Sequence, residues 1–418
     1  MWKKYREKFF YSIVIVLVIL NIILVGVNIA ILIGSAQQDL LRNSDFTSFY
    51  TAFSMVKSGE AAKLYDLNTQ AIYQQRILAG YVFKDGVLPY LNPPFIAFIF
   101  SPLAFLPRNI AFVIWIILQF SLLTWLVLLL SKLTRQWSKP ERQLLLLLLL
   151  SFWPLSYTIL LGQFSLIILI GFVQVYISLK TSKLHNAGIW LASLFMIKPQ
   201  VVLLPAVMTL TKRYFRVLLI MGSVCLLIIA ISSLFIGWAP WKEYIGFIPQ
   251  ISNYFNKFGL IPGGEYTFRG ILSMIFGNSQ MPVINTFSSF ILVFGMVIVW
   301  FLWRRGKAEE QPGFQLCFAL TLTLSAFLNL HSNSYDCLIL VFPAVLLYDY
   351  LRWNSLPRLG YSIFLLCSPL FFILDVFYKI SIFGIFRPPV IIVIIFLAWV
   401  IYYLPAELRS KRIVSPVP

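Results

Sequence analysis

Residues 11–34 read YSIVIVLVILNIILVGVNIAILIG, an apolar run without a charged side chain. A helix of about 20 apolar residues crosses the roughly 30 Å hydrocarbon core of a bilayer. The run is too long for the core of a signal peptide and lacks a small-residue cleavage site, so we interpret it as a membrane span. Similar runs recur along the chain of 418 residues, of which 60% are hydrophobic and 11% charged. The sequence therefore predicts an all-α, polytopic transmembrane helical bundle.

The formal net charge is +18, but its distribution argues against a nucleic-acid partner. Lys and Arg cluster in short loops between apolar runs, as in the cytoplasmic loops of membrane proteins. The basic N-terminal sequence MWKKYREK is therefore expected in the cytoplasm. With ten spans, the C-terminus and the following basic segments all fall on the same side: Lys132–Arg142, Lys180–Lys183, Lys212–Arg216, Arg304–Lys307, Arg352–Arg358 and Arg409–Arg412.

Prolines interrupt two further apolar stretches, 92–107 and 189–210, and each is either a kinked span or a re-entrant pair of half-helices. The prediction is therefore 10–12 spans in one integral membrane domain, residues 1–418. Further spans after the first are predicted over 108–131, 144–161, 164–180, 214–237, 284–303, 314–330, 338–352, 360–378 and 388–405.

Two long external loops, 35–93 and 238–283, follow from this topology. In the first loop, one helix is predicted to begin at Asp45 and a second to cover Thr69–Leu78, with Asn68 as its cap. Both are predicted to be amphipathic and to lie at the membrane interface of the outer leaflet. Aromatic residues at helical spacing support the first of them: Phe46, Phe49, Tyr50 and Phe53.

Acidic residues are few, and Asp45 lies where a lipid headgroup would be. Its pattern supports two roles equally: a helix N-cap, or a general base acting on a hydroxyl group. His331, Tyr335 and Asp336 lie together at the outer end of a predicted span. A turn with polar caps would explain some of these three side chains, but the group exceeds what a cap needs.

Lys198 lies in the proline-broken stretch, where an embedded ionisable side chain is either functional or snorkels to a headgroup. Gln163 and Gln200 are polar residues at similar breaks. Arg269 is expected in an external loop, as a ligand for phosphate or as a solvated side chain. The four cysteines have no metal-ligand spacing, and there is no nucleotide-binding loop, so neither a metal nor a cofactor is expected.

Five sequence segments, in order, resemble glycosyltransferase family 87, the polyprenyl-phosphate-mannose-dependent mannosyltransferase-like membrane enzymes of GT-C fold. The resemblance runs from about residue 40 to 345. The segments are SDFTSFYTAFSMVKSGEAAKLYD (44–66), LNPPFIAFIFSPLAFLP (91–107), LLGQFSLIIL (160–169), IKPQ (197–200) and HSNSYDCLILVFP (331–343).

The resemblance implies a lipid-linked phosphosugar donor on the outer face and an aspartate base in the first external loop, a role that Asp45 fits. His331 fits the family's histidine near the sugar phosphate, although Leu330 stands where the family often has proline. Asp66 ends the LYD motif and Lys198 belongs to the KP motif, both as candidates for substrate binding. Arg269, Lys198 and His331 are the candidates for the cationic environment of the leaving phosphate.

The expected activity is inverting transfer of a hexose, with mannose as the family's sugar, from a polyprenyl-phosphate sugar to a lipid or glycan hydroxyl. The expected location is a bacterial plasma membrane, with the active site external and both termini cytoplasmic. Two alternatives stay open: a transporter or flippase of lipid-linked sugars, and a polymerase or ligase of surface polysaccharide. The flippase would not need Asp45 at the start of a helix, and polymerases usually rely on one large late external loop.

Overall fold

The computed structural model describes residues 2–37, 44–83, 86–248, 265–304, 309, 311–378 and 387–409. Within these ranges the regular elements are helices, without a strand, which confirms the all-α prediction. The α-helices are α1 (Trp2–Gln37), α2 (Asp45–Lys57), α3 (Leu67–Ile77), α4 (Pro94–Phe100), α5 (Arg108–Leu133), α6 (Lys139–Ser151), α7 (Trp153–Leu161), α8 (Ser165–Lys180), α9 (Leu184–Ile197), α10 (Leu203–Thr211), α11 (Phe215–Ile236), α12 (Ala239–Phe247), α13 (Phe268–Phe276), α14 (Met281–Arg304), α15 (Pro312–Phe327), α16 (Val341–Trp353), α17 (Leu359–Tyr378) and α18 (Pro388–Arg409).

Five segments of the described chain are long and apolar enough to cross a membrane, and α6 with α7 adds a sixth if this pair, bent by 48°, is one span. Residues 334–353 differ from the other four long segments, because 78% of their apolar window is buried, against 17–33% elsewhere. This segment is therefore the centre of the bundle. The long apolar segments make this a multi-pass membrane protein. Because the other apolar helices are shorter, the number of 10–12 spans stays a prediction.

Helix α2 is buried on nearly all sides, so the prediction of an amphipathic helix lying on the leaflet is wrong for this element. The polar side chains of Thr47, Ser48 and Thr51 are buried together with its aromatic residues. Phe46 and Phe53 pack on the Trp115 indole, with ring centroids 5.6 and 6.2 Å away. The aromatic residues that follow Asp45 at helical spacing therefore belong to a helix that is packed inside the protein.

The first external loop contains one further correction. Helix α3 begins at Leu67, and its N-cap is Asp66 rather than Asn68. The Asp66 carboxylate accepts a hydrogen bond from the Thr69 backbone N–H at 3.1 Å, which satisfies an N–H group that has no partner within the helix.

The proline-containing stretches 92–107 and 189–210 are interrupted helices, as predicted. Helix α9 ends at Ile197, a 3₁₀ turn covers Pro199–Val201, and α10 follows. Gly162 ends α7 in the left-handed region (φ 76°), and a 3₁₀ segment, Ser334–Leu340, precedes α16. A break in a helix leaves backbone N–H and C=O groups without partners in that helix. Such breaks are therefore tolerated at membrane depth only where they are buried in protein or line a cavity.

Candidate functional site

A cavity of about 510 Å³ lies where these helix breaks meet the start of α2. Seven of the nine predicted site residues line it: Asp45, Gln163, Lys198, Gln200, His331, Tyr335 and Asp336. Arg269 and Asp66 do not. The structure therefore brings seven of the predicted residues to one cavity wall, although they come from four separate segments of the chain.

Asp45 is the first residue of α2, but it is not the helix cap that the sequence suggested. Ser44 takes the N-cap position, and the Asp45 carboxylate accepts a hydrogen bond from the Gln163 side chain. Burial raises the pKa of Asp45 to about 6, while the Gln163 hydrogen bond and the charge of Lys198 oppose that rise. The carboxylate is therefore largely ionised at neutral pH and close to the pKa at which a general base is most effective.

Gln163 is held in place from both sides of the break after α7. Its backbone carbonyl accepts a hydrogen bond from the Gln119 side chain at 2.8 Å. The carbonyl of the preceding Gly162 accepts from the Trp115 indole N–H, also at 2.8 Å. Since Trp115 also packs on Phe46 of α2, the break that carries Gln163 and the helix that carries Asp45 share one anchor.

Lys198 and Asp336 form an ion pair across the cavity wall, so Lys198 does not snorkel to a headgroup. The two side chains are 16% and 6% exposed. Asp336 also accepts the Asn333 backbone N–H at 2.9 Å, and the Lys198 ammonium lies 5.4 Å from the centre of the Tyr335 ring. The pair joins the break after α9 to the central segment that begins at Ser334.

His331 is positioned by Glu265, a residue that sequence reasoning missed. The Nδ1 atom of His331 lies 2.9 Å from Oε1 of Glu265, and the same oxygen accepts from the Arg269 guanidinium at 2.7 Å. Arg269 is only 3% exposed and also donates to Asn285 and to the Leu330 carbonyl. The structure contradicts the prediction of Arg269 as a phosphate ligand in an external loop. Arg269 lies in a helix, and its buried guanidinium binds Glu265, Asn285 and the Leu330 carbonyl.

The cavity lining also includes a hydrogen-bonded group formed by Tyr266, Asp375 and Arg387. The Tyr266 hydroxyl donates to the Asp375 carboxylate, and Arg387 donates to the same carboxylate oxygen at 3.1 Å. Asp375 lies within the predicted span 360–378 and belongs to none of the quoted motifs. The arginine before two prolines at the start of α18 was the available signal for Arg387.

The arrangement sets a carboxylate with a near-neutral pKa on one wall and cationic side chains on others, within one cavity. Such a site can remove a proton from a bound hydroxyl and bind an anionic group. Among the described residues, no cluster of three or more His, Cys, Asp or Glu side chains is suited to a metal ion.

Comparison with known proteins identifies one family. The model of "Glycosyltransferase family 87" matches residues 90–328, which is more than half of the chain. The match begins after Asp45 and ends before His331, so it is shorter than the resemblance over 40–345 and leaves these two residues outside. No curated protein and no solved structure matches the chain.

Proposed function

Because the chain belongs to glycosyltransferase family 87, and is thus a membrane glycosyltransferase, we propose that it transfers a hexose from a polyprenyl-phosphate sugar to an acceptor hydroxyl, with Asp45 as general base. Mannose is the proposed sugar, and a lipid or glycan the acceptor. The observation that carries this proposal is the Asp45 carboxylate on the wall of the 510 Å³ cavity, with a pKa raised to about 6.

The proposed reaction is a single displacement. Asp45 takes the proton of the acceptor hydroxyl, whose oxygen forms a bond to the anomeric carbon. The bond between that carbon and the phosphate oxygen breaks, and its electrons leave with polyprenyl phosphate. In-line attack inverts the anomeric configuration. Because a phosphate leaving group already has a low pKa, no general acid is required.

A second feature supports a lipid-linked donor. An apolar groove between α6, α16, α17 and α18 is lined mostly by Leu, Val, Ile and Phe side chains. Phe152 and Phe372 lie in its wall and pack edge to face, 4.7 Å between ring centroids. The Phe372 ring also stacks on Tyr266 of the cavity, at 6.1 Å. The groove and the cavity therefore lie on either side of the Phe372–Tyr266 contact, an arrangement that supports a donor with its tail in the groove and its phosphate in the cavity.

The donor class is tested with purified protein in nanodiscs free of polyprenyl lipid. We expect transfer from polyprenyl-phosphate mannose and none from GDP-mannose, measured by mass spectrometry of the acceptor. Polyprenyl-phosphate glucose serves as the matched control for the sugar. Direct transfer from the nucleotide sugar would overturn the proposed mechanism. Movement of the lipid-linked sugar across the membrane of sealed proteoliposomes, without transfer to an acceptor, would support the flippase alternative instead.

A further inference from the structure

Of the cationic side chains that line the cavity in the described structure, Arg387 is the one with a guanidinium. Lys198 is bound in its ion pair with Asp336, and the Nδ1 atom of His331 is engaged by Glu265. The Arg387 side chain keeps 26% of its surface exposed, whereas Arg269 keeps 3%. The cavity thus offers an arginine that sequence reasoning did not assign to it.

The hydrogen bonds that hold the Arg387 side chain within the described structure involve one end of its guanidinium. Its NH1 group donates hydrogen bonds to Asp375 Oδ2 at 3.1 Å and to the Tyr266 hydroxyl at 3.3 Å. The guanidinium also lies over the Tyr266 ring, 5.5 Å from its centre. Among the described residues, no hydrogen bond engages the Nε and NH2 groups, which suits a planar, two-point contact with an oxyanion, a geometry that guanidinium matches better than ammonium.

The anchors of Arg387 are fixed relative to the rest of the site. The Tyr266 backbone N–H donates to the Ser332 carbonyl at 3.1 Å, next to His331 in the chain. Asp375 is 2% exposed, and its Oδ1 atom is buried without a hydrogen-bond partner among the described residues. A buried carboxylate oxygen left unpaired is unfavourable, so the cluster is not optimised as a structural ion pair alone.

We propose that Arg387, positioned by Asp375 and Tyr266, binds the phosphate of the lipid-linked donor, in place of the predicted Arg269. This inference rests on the proposed function, because it assigns the phosphate of that donor to a residue. Asp45 and Arg387 then serve different parts of the reaction: one acts on the acceptor hydroxyl and the other on the leaving group.

The kinetic test compares Arg387→Gln with Arg387→Lys, and uses Arg76→Gln as the matched control. Arg76 is exposed on α3 and does not line the cavity. We expect Arg387→Gln to raise the KM for the polyprenyl-phosphate sugar about 10- to 100-fold, as for loss of a charge-assisted contact, and to leave the acceptor KM unchanged. Arg387→Lys keeps the charge and should raise the donor KM by a smaller factor. An unchanged donor KM in both Arg387 variants would overturn the inference.

A binding test separates this inference from the proposed function and from a purely structural role. Farnesyl phosphate and farnesol are compared by native mass spectrometry, with thermal unfolding as the check on folding. Wild-type protein should prefer the phosphate, and Arg387→Lys, the milder change, should weaken that preference while staying folded. If wild-type protein shows no preference, the proposed function and the inference both fail. If wild-type protein prefers the phosphate and the folded variants keep the full preference, only the inference fails.

Discussion

Asp45 has the two properties that a base for a hydroxyl group needs: a carboxylate on the cavity wall and a pKa near neutrality. The aromatic spacing that follows it predicted a helix beginning at Asp45, and the helix is present. The hydrogen bond from Gln163 could not be predicted, because the two residues are separated by 118 positions. The start of a helix can be predicted from residues that are adjacent in the sequence. A contact between distant segments depends on how whole helices pack.

The first prediction concerns Asp45→Asn. Asn is nearly isosteric and its carbonyl oxygen can still accept the Gln163 hydrogen bond, so the protein should fold and purify as wild type. Loss of a general base typically slows a reaction 10²–10⁴-fold, and we expect that loss in the transfer rate. The matched control is Asp66→Asn, since Asn caps a helix about as well as Asp and residue 66 is outside the cavity. Near wild-type transfer by Asp45→Asn would exclude the base role.

The second prediction concerns pH, with the sign set by the raised pKa of Asp45. The pKa rises from 3.8 in a free chain to about 6 in the fold. The folded state thus binds the proton more tightly, and this contribution to stability is lost as pH rises from about 4 through 6. Asp45→Asn, which does not titrate, should gain stability relative to wild type over that interval, by about 1–3 kcal/mol at pH 7.

Two measurements check the pH dependence. Thermal unfolding of both proteins between pH 4 and pH 8 gives the stability difference, and kcat/KM of wild type gives the ionisation of the base. We expect kcat/KM to fall as pH drops below about 6. A constant stability difference across this range, or a rate that stays constant down to pH 4.5, would contradict the raised pKa.

At the scale of helices, prolines predicted two of the places where helices break, because proline changes the backbone locally. The stretches 92–107 and 189–210 are interrupted as expected. The partners across the breaks were not predictable in the same way. Lys198 and Asp336 are 138 positions apart, and Glu265 entered no motif although it contacts both His331 and Arg269.

The third prediction tests the break after α7. Gly162 has φ 76°, and a Cβ atom there would lie 3.0 Å from the Trp115 indole nitrogen and 3.2 Å from Phe46. Gly162→Ala should destabilise the protein by about 1–3 kcal/mol and lower transfer, because it displaces the segment that holds Gln163 against Asp45. Gly80→Ala is the control, since Gly80 has φ 89° but open space around its Cα. Thermal unfolding and transfer rate are measured for both, and equal effects would refute the role of the close packing.

At the scale of the molecule, the strongest sequence signals were the apolar runs and the side on which basic residues cluster. They predicted a helical membrane protein, and the structure confirms this class. They also treated every apolar run as equivalent. The structure separates the 334–353 segment, in which 78% of the apolar window is buried in protein, from helices such as α11, in which 17% is buried. Burial by protein and burial by lipid select the same apolar residues, so sequence alone does not distinguish them.

The fourth prediction is the orientation of the cavity. All predicted basic loops fall on one side with ten spans, and this bias sets orientation, so the opposite side should be external. Cysteine is introduced at three exposed positions, Lys63, Glu243 and Arg135, and intact cells are treated with a membrane-impermeant maleimide. Lys63 and Glu243 lie in the predicted external loops 35–93 and 238–283, and Arg135 lies in the basic segment Lys132–Arg142. Unmodified protein gives the background from native cysteines, of which Cys317 and Cys337 are buried.

We expect the cysteines at 63 and 243 to react in intact cells, and the cysteine at 135 to react only after the membrane is opened. Two positions lie on opposite sides of the membrane when an odd number of crossings separates them. The three labelling results together therefore fix the relative topology of these positions. Reaction at 135 in intact cells, with none at 63, would place the Asp45 cavity in the cytoplasm. A polyprenyl-phosphate sugar on the outer leaflet would then not reach it, and the donor would have to be presented from the inner leaflet.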